Sequence, residues 1–333
     1  MEMLNIFLLS FVSKNMKKLM KLSQVPRFKN INRVVYDNYL FKNDNRAIVV
    51  PFKPKSDGIK DAENGYFKLN VSGKNTDFRL PDKGDFPAAC FDKSDQESVL
   101  ESIHYYLLDF FGGDSVDYQL STIYDKQYSI PQLPHLSVCL TVNPWADMRR
   151  FEDVLSSTPV LKHIKMSVGG ARELVIRESK FYQAESIRIS QTSSAFPAVL
   201  RHFQGRQALL SIRKWEDLDF IEFVKRWKSG EAFRKLEYMI IRIKSSFREP
   251  QDRILNAIGV KYIEATKQPP THTLPKVYND CKPYTDPIIS HAYVVRETDN
   301  RVASVSIQRN IISDYVWFGV WNKTEEEFLR FMD

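Results

Sequence analysis

The sequence predicts an α/β fold, an irregular strand-helix solenoid preceded by a short helical segment and a β-rich connector and closed by a C-terminal β cap. Three observations predict it. Short runs of alternating apolar residues recur from about Leu133 onward, helix-like stripes follow most of them, and the chain after His291 alternates like paired strands. With 333 residues, 43% of them apolar and 13% aromatic, the chain can close a real core, so disorder is not expected.

Residues 3 to 22 read as one helix, with Ile6, Leu9, Val12, Ser13, Met16 and Leu19 or Met20 at spacings of three and four and Pro26 as its stop. Leu4 to Val12 is apolar, but it is short, lies behind Glu2 and lacks a small-residue cleavage site, so it does not read as a secretory signal. From Val34 to Phe91 short β-like runs (VVYDNY, AIVVPF, YFKLNV) alternate with breaker clusters such as Lys55 to Gly58 and Asp82 to Asp85, which read as mobile loops. Ser94 to Phe111 returns to helix, with Val99, Ile103, Tyr106, Leu107 and Phe110 on one face and Gly112-Gly113 ending it.

The repeat follows. Inner apolar pairs fall at Leu136/Val138, Ile164/Met166, Ile187/Ile189, Leu210/Ile212 and Met239/Ile241, about 23 to 29 residues apart, the period of leucine-rich-repeat-like solenoids. Helical stripes between them comprise Met148, Phe151, Val154 and Leu155; Phe196, Val199, Leu200 and Phe203; and Phe220, Phe223, Val224 and Trp227. A curved parallel sheet backed by helices is expected, because parallel strands require crossovers. No clear helix lies between Gly169 and Gln183, which makes the array irregular. A helix after Pro250 buries Ile254, Leu255 and Ile258, Lys267 to Asp286 reads as a loop, and strands at His291–Arg296, Arg301–Ile307 and Tyr315–Trp321 form the cap around a turn at Asp299-Asn300.

Charge and motifs exclude several function classes. Forty-eight Lys plus Arg against 41 Asp plus Glu give a net +7 on a mixed surface, which does not suggest a nucleic-acid footprint. Lys14, Lys17, Lys18, Lys21, Arg27, Lys29 and Arg33 form a basic stretch, read as a solvated helix face; RNA binding through it ranks third among the hypotheses. Cys90, Cys139 and Cys281 are odd in number and unpaired in spacing, which fits neither a disulfide framework nor a metal site and suits a reducing, intracellular setting, cytoplasmic or nuclear. No dinucleotide, Walker, nucleophile-elbow or zincin motif occurs, so no catalytic residue, cofactor or metal is expected. His135 and Cys139, Glu216 with Asp219, and Glu325 to Glu327 read as packing or helix-start residues, and Trp215, Trp227, Trp317 and Trp321 as core.

Two sets of residues carry a likeness. MEMLNIFLLSFVSKNMKKLMK, with Ile6, Leu8, Leu9, Val12, Ser13 and Lys14 at matching positions, resembles the second half of an F-box. SHAYVVRETDNRVASVSIQRN, VWFGVWNKTEEEFLRFMD and DFIEFVKRWKSGEAFRKLEYM are similar to the F-box-associated domain of nematode F-box proteins, and ESVLESIHYYLLDFFGGD has the same flavour. Met1 falls where the motif's first helix and its Leu-Pro should have passed, so the F-box reads as N-terminally truncated; Asn300 stands where the family commonly has Gly. The resemblance implies partial F-box helices over 1–31, a β-rich connector ending in a helix over 32–118, and an F-box-associated repeat domain with its β cap over 119–333. It also implies a non-catalytic adaptor role. A Skp-type adaptor, and through it a cullin ubiquitin ligase, would meet Leu4, Ile6, Phe7, Leu8, Phe11 and Val12, while the repeat domain holds an unknown protein substrate, with neither membrane nor nucleic acid as partner. The alternative is a ligase-independent protein-binding scaffold that has lost adaptor docking.

Overall fold

The structure, a computed structural model, describes residues 3–37, 47–54, 66–79, 87–113, 116–124, 130–142, 148–168, 176–191, 196–213, 216–244, 250–278, 282–310 and 313–332. It is a mixed α/β protein with a large, mostly parallel sheet that does not close into a barrel among the described residues. The chain divides into two compact units, Met1–Ile123 with Gln127–Leu140, and Tyr124–Lys126 with Thr141–Asp333.

The first unit runs α1 (Met3–Ser10), α2 (Lys14–Ser23), α3 (Val25–Phe28), β1 (Arg33–Asp37), β2 (Ala47–Pro54), β3 (Tyr66–Val71), β4 (Lys74–Arg79), β5 (Ala88–Phe91), α4 (Gln96–Phe111), β6 (Asp117–Tyr124) and β7 (Leu136–Val142). The single helix expected over 3–22 is two helices. Ser13 adopts extended backbone (φ −162°, ψ 162°) and its Oγ accepts from the Met16 N–H at 3.0 Å, so a capping hydroxyl starts a new helix where apolar spacing alone suggested continuity. Pro26 does not stop that helix but lies in α3, where a first-turn residue needs no N–H. Strand order in this unit is β7-β6-β1-β2-β5-β4-β3. β4, sequence KNTDFR, escaped detection because its pattern is mostly polar; it pairs with β3 through Ser72 and Gly73, both at positive φ, the geometry of a two-residue hairpin. The loops expected around Lys55 to Gly58 and Asp82 to Asp85 lie outside the described residues.

The predicted face of α4 is buried throughout, and Gly112 ends the helix at φ 85°. Its turn also buries His104, whose Nδ1 lies 3.0 Å from the Tyr36 hydroxyl and whose Nε2 lies 2.8 Å from the Pro134 carbonyl. Tyr118 donates its hydroxyl to the last carbonyls of the helix, at Leu107 and Gly112.

The second unit contains α5 (Met148–Ser157), β8 (His163–Val168), β9 (Ser186–Gln191), α6 (Phe196–His202), β10 (Gln207–Ile212), α7 (Asp217–Lys228), β11 (Tyr238–Ile243), α8 (Gln251–Ile258), β12 (Lys261–Tyr262), β13 (Thr271–His272), β14 (Ile288–Ile289), β15 (Ala292–Val295), β16 (Arg301–Gln308), β17 (Asp314–Thr324) and α9 (Glu325–Arg330). β8, β9, β10 and β11 run parallel, and β17 joins the edge of β11 antiparallel, followed by β16, β15 and β12. The strand periodicity is therefore present, with one adjustment of register: Ile187 and Ile189 stand beside Ala208 and Leu210, not Leu210 and Ile212. Ala208 is fully buried against the helices, and its small side chain concealed it in the apolar pattern.

Helix stripes and strand faces meet in one core. Phe151, Leu155, Val199, Leu200, Phe220, Phe223, Val224 and Trp227 are buried with Ile164, Met166, Ile187, Ile189, Leu210, Met239 and Ile241. Phe318 of β17 lies edge-on to both Phe223 and Trp227, at 5.2 Å in each case. Arg296 stacks over the buried Trp227 ring at 5.2 Å and is gripped by Asp299 through two hydrogen bonds, which anchors the turn at Asn300. Asn300 has φ 57°, so the amide residue occupies the left-handed position that usually takes glycine. α9 starts with a capping box between Thr324 and Glu327, and Glu325 receives Lys261 and the Tyr293 hydroxyl, so these carboxylates serve structure.

Two outcomes follow from this packing. Trp227→Ala should lower unfolding free energy by about 3–5 kcal/mol in denaturant titration, as for other large-to-small core changes. Burial lowers the pKa of His104, and of His272 in the second unit, from the ordinary 6.5. The unfolded chain therefore binds protons that the folded chain refuses, and stability, complete above about pH 6.5, falls as pH drops through the interval below it. Thermal midpoints that stay flat from about pH 7.5 to about pH 5.5 would contradict the burial of these imidazoles.

Candidate functional site

Of the residues predicted to meet a Skp-type adaptor, Ile6 is buried, Leu8 and Phe11 are half-buried, and Val12 is 70% exposed; the side chains of Leu4 and Phe7 lie outside the description. The inward side of this segment packs on α4. The Ser10 and Tyr106 hydroxyls are 2.6 Å apart, the Phe11 ring stacks on Tyr106 at 4.2 Å between centroids, and Lys17 pairs with Asp109. That ammonium holds the Asp109 carboxyl below its ordinary pKa, while burial pushes the Tyr106 hydroxyl up to about 12. Leu19, Leu22 and Val25 are exposed as well. The basic stretch is thus partly engaged in holding α2 to α4.

A second site, which the sequence did not single out, lies on β8 to β11 and β17. Successive side chains of a strand alternate between faces, and helices cover the face carrying Ile164, Ile187, Ala208 and Met239. The opposite face carries two rows of side chains in register across the sheet. One is Ser167, Ser190, Ser211, Arg242 and Tyr315; the other is Lys165, Arg188, Leu209, Ile240 and Trp317. Lys165, Ser167, Arg188, Ser190, Arg242 and Lys244 are all exposed. Together they line a hollow of about 540 Å³, with Asp286 as its only carboxylate among the described residues.

The lower boundary of the hollow is made by the segment that read as a loop. Its described residues, 267–278 and 282–286, are instead drawn into a narrow ribbon: β13 pairs with β14, Pro275 bridges Tyr284, and the Thr285 N–H donates to the Leu274 carbonyl. Five prolines between Pro269 and Pro287 hid this pairing, because proline lowers any strand signal. The ribbon crosses the N-terminal ends of the strands on their open face. Gln207 clamps it, donating from Nε2 to the Pro275 carbonyl at 2.8 Å and accepting at Oε1 from the Val277 N–H at 3.0 Å. The His163 ring stacks on Tyr278 at 4.5 Å, the Tyr238 hydroxyl donates to the Asp286 carbonyl, and His272 meets the Val320 carbonyl at 3.0 Å. Gly319 makes room for the strap: a Cβ there would come within 2.8 Å of both Ile288 and His272. Among the described residues, what stays uncovered is the C-terminal half of the strands, the end at which open parallel sheets usually bind ligands.

Local chemistry makes this half electropositive. Arg242 donates from Nε to the Ser313 hydroxyl at 3.1 Å and lies 5.8 Å from the Tyr315 ring, which in turn stacks on Trp317 at 5.1 Å. The Asp286 carboxylate is met by Lys282 at 3.5 Å. Lys165 and Lys244 form no ion pair among the described residues. Three serine hydroxyls at successive strand spacings of about 4.8 Å provide a floor that donates or accepts hydrogen bonds. His135, by contrast, is exposed ahead of β7 while Cys139 is buried within it, so the two do not form a nucleophile pair. No cluster of three metal-ligating side chains occurs among the described residues, and no described helix is long and apolar enough to cross a membrane.

The clamp has a measurable consequence. Gln207→Leu keeps the side-chain volume but removes both hydrogen bonds to the strap, at a cost of about 1–3 kcal/mol. Hydrogen exchange should accelerate at Val277 while amides of β9 and β10 stay protected. Compared with known proteins, the chain matches no family model, no curated protein and no solved structure.

Proposed function

We propose that this chain is a non-catalytic, intracellular recognition protein that holds a target protein on the open face of β8 to β11, and that it acts as a substrate-recognition subunit of an SCF-type ubiquitin ligase. The observation that carries the recognition role is the uncovered, in-register sheet face with its hollow, walled on one side by a clamped strap. Concave sites bounded by rigid elements are the usual form of a binding surface. The ligase connection rests on the likeness of residues 1–21 to the second half of an F-box and of the later blocks to the F-box-associated domain. Exposed Val12, Leu19, Leu22 and Val25 supply apolar side chains with which a helix pair enters a partner groove. The strand-helix repeat is, in the same proposal, an irregular leucine-rich-repeat-like solenoid.

A specific observation favours a second role, that of a ligase-independent scaffold. Ser10 and Phe11 are engaged with the chain's own α4 and Ile6 is buried, so part of the surface an adaptor would take is already used.

Co-purification of the full chain with a Skp-type adaptor, alongside an established F-box protein as positive control, separates the two. Under the adaptor role the wild type is retained, and Val12→Asp with Leu19→Asp abolishes retention while changing stability by no more than about 0.5 kcal/mol, as for exposed positions. Failure of the wild type to bind while the control binds removes the ligase role.

A further inference from the structure

The open half of the sheet face is chemically lopsided. Lys165 and Arg188 stand side by side on β8 and β9, Arg242 stands on β11 and Lys244 directly follows it, with Ser167, Ser190 and Ser211 between and beside them. Among the described residues that line the hollow four are cationic and one, Asp286, is a carboxylate, whereas the whole chain carries only a slight excess of basic residues. Adjacent strands are separated by about 4.8 Å, and Arg242 and Lys244 lie two and four positions further along the strand direction than the row of Lys165 and Arg188, so the backbone positions of the two cation pairs are roughly 12 to 20 Å apart. An extended peptide advances about 3.3 Å per residue and shows alternate side chains on one side. Acidic groups four residues apart, roughly 13 Å along such a chain, match the two pairs, and the serine hydroxyls lie where they can meet the intervening backbone or anion oxygens.

We infer that the hollow on β8 to β11 binds an extended peptide segment carrying two anionic side chains about four residues apart, one seated at Lys165 and Arg188 and the other at Arg242 and Lys244. The inference rests on the recognition role proposed above and names the chemistry of its target. Carboxylate and phosphoserine share that chemistry, since both offer oxygens to a lysine or to a forked guanidinium. A nucleic-acid strand fits the surface less well. The described aromatic rings at its edge are already engaged, Tyr315 stacked on Trp317 with Arg242 nearby, so among the described residues none stands as a separate stacking platform of the kind single strands use.

The test is an array of ten-residue peptides probed with the full chain. Two positions are set to Glu, phosphoserine, Ala or Lys, at separations from one to six residues, and a single-stranded ten-nucleotide RNA is titrated in parallel by fluorescence anisotropy. Binding should peak for the anionic peptides near a four-residue separation, weaken with added salt, and fall by about tenfold or more in the Lys165→Glu/Lys244→Glu variant, equivalent to about 1.4 kcal/mol. These lysines are exposed, so the melting temperature of that variant should match the wild type, and Arg188→Ala provides an independent second variant. Preference for phosphoserine over Glu assigns the anion as phosphate, and equal binding assigns it as carboxylate; both support the site. Binding by Ala or Lys peptides as tight as by anionic ones, indifference to the Lys165→Glu/Lys244→Glu change, or RNA bound more tightly than every peptide and lost in that variant would overturn it. Adaptor co-purification is an independent readout: its failure with peptide binding intact removes the ligase role alone, whereas peptide failure with adaptor binding intact removes this site alone.

Discussion

A parallel strand presents two faces, and the crossovers that connect such strands cover only the side on which they pass. In the second unit the helices α5, α6 and α7 bury one face of β8 to β11 under aromatic and aliphatic side chains. The other face carries the polar rows and the hollow. Had that face been apolar, it would be a large adhesive surface. Its residues are instead mixed: His163, Gln207 and Tyr238 at the N-terminal ends, where the strap covers them, Lys165 and Arg188 in one row with Leu209 and Ile240, and serines with Arg242 toward the C-terminal ends. The same strands thereby serve as a core on one side and as a graded polar surface on the other.

The strap decides the depth of that surface. Without it, the rows of serine and cation would be an open, shallow plane; with it, the plane gains a wall. The wall is held by hydrogen bonds to buried side chains, and the close approach of His272 and Ile288 to Gly319 leaves no space for a Cβ at that position. Burial of His272 keeps its imidazole neutral, so its ring accommodates the Val320 carbonyl without carrying charge into the core.

Much of this fold was legible in the amino-acid order because large side chains advertise the period they obey. Val99 to Phe110 and Phe220 to Trp227 mark their helices without ambiguity, and Val316, Phe318 and Val320 mark the edge strand that joins β11. The misreadings occurred where small or polar residues carry the information. Ala208 concealed the register of β10, the hydroxyl of Ser13 divided one apparent helix into two, and the polar run of β4 did not look like a strand. The hollow was illegible for a related reason. Lys165, Arg188 and Arg242 are ordinary surface residues until strand pairing aligns them, and one sequence contains no sign of which exposed cations become neighbours. The F-box likeness pointed to the N-terminal segment, where the fold engages Ile6 and exposes Val12; spacing alone does not tell these two apart.

Gln207 and its two partners in the strap are separated by 68 and 70 residues of chain. During synthesis, β8 to β11 emerge well before the ribbon that walls them, and the edge strand β17 emerges later still. A ribosome-bound chain ending near Ile243 therefore holds all four parallel strands yet has neither wall nor edge partner. The hollow gains its wall only as residues beyond Ile243 fold back onto strands that are already in place.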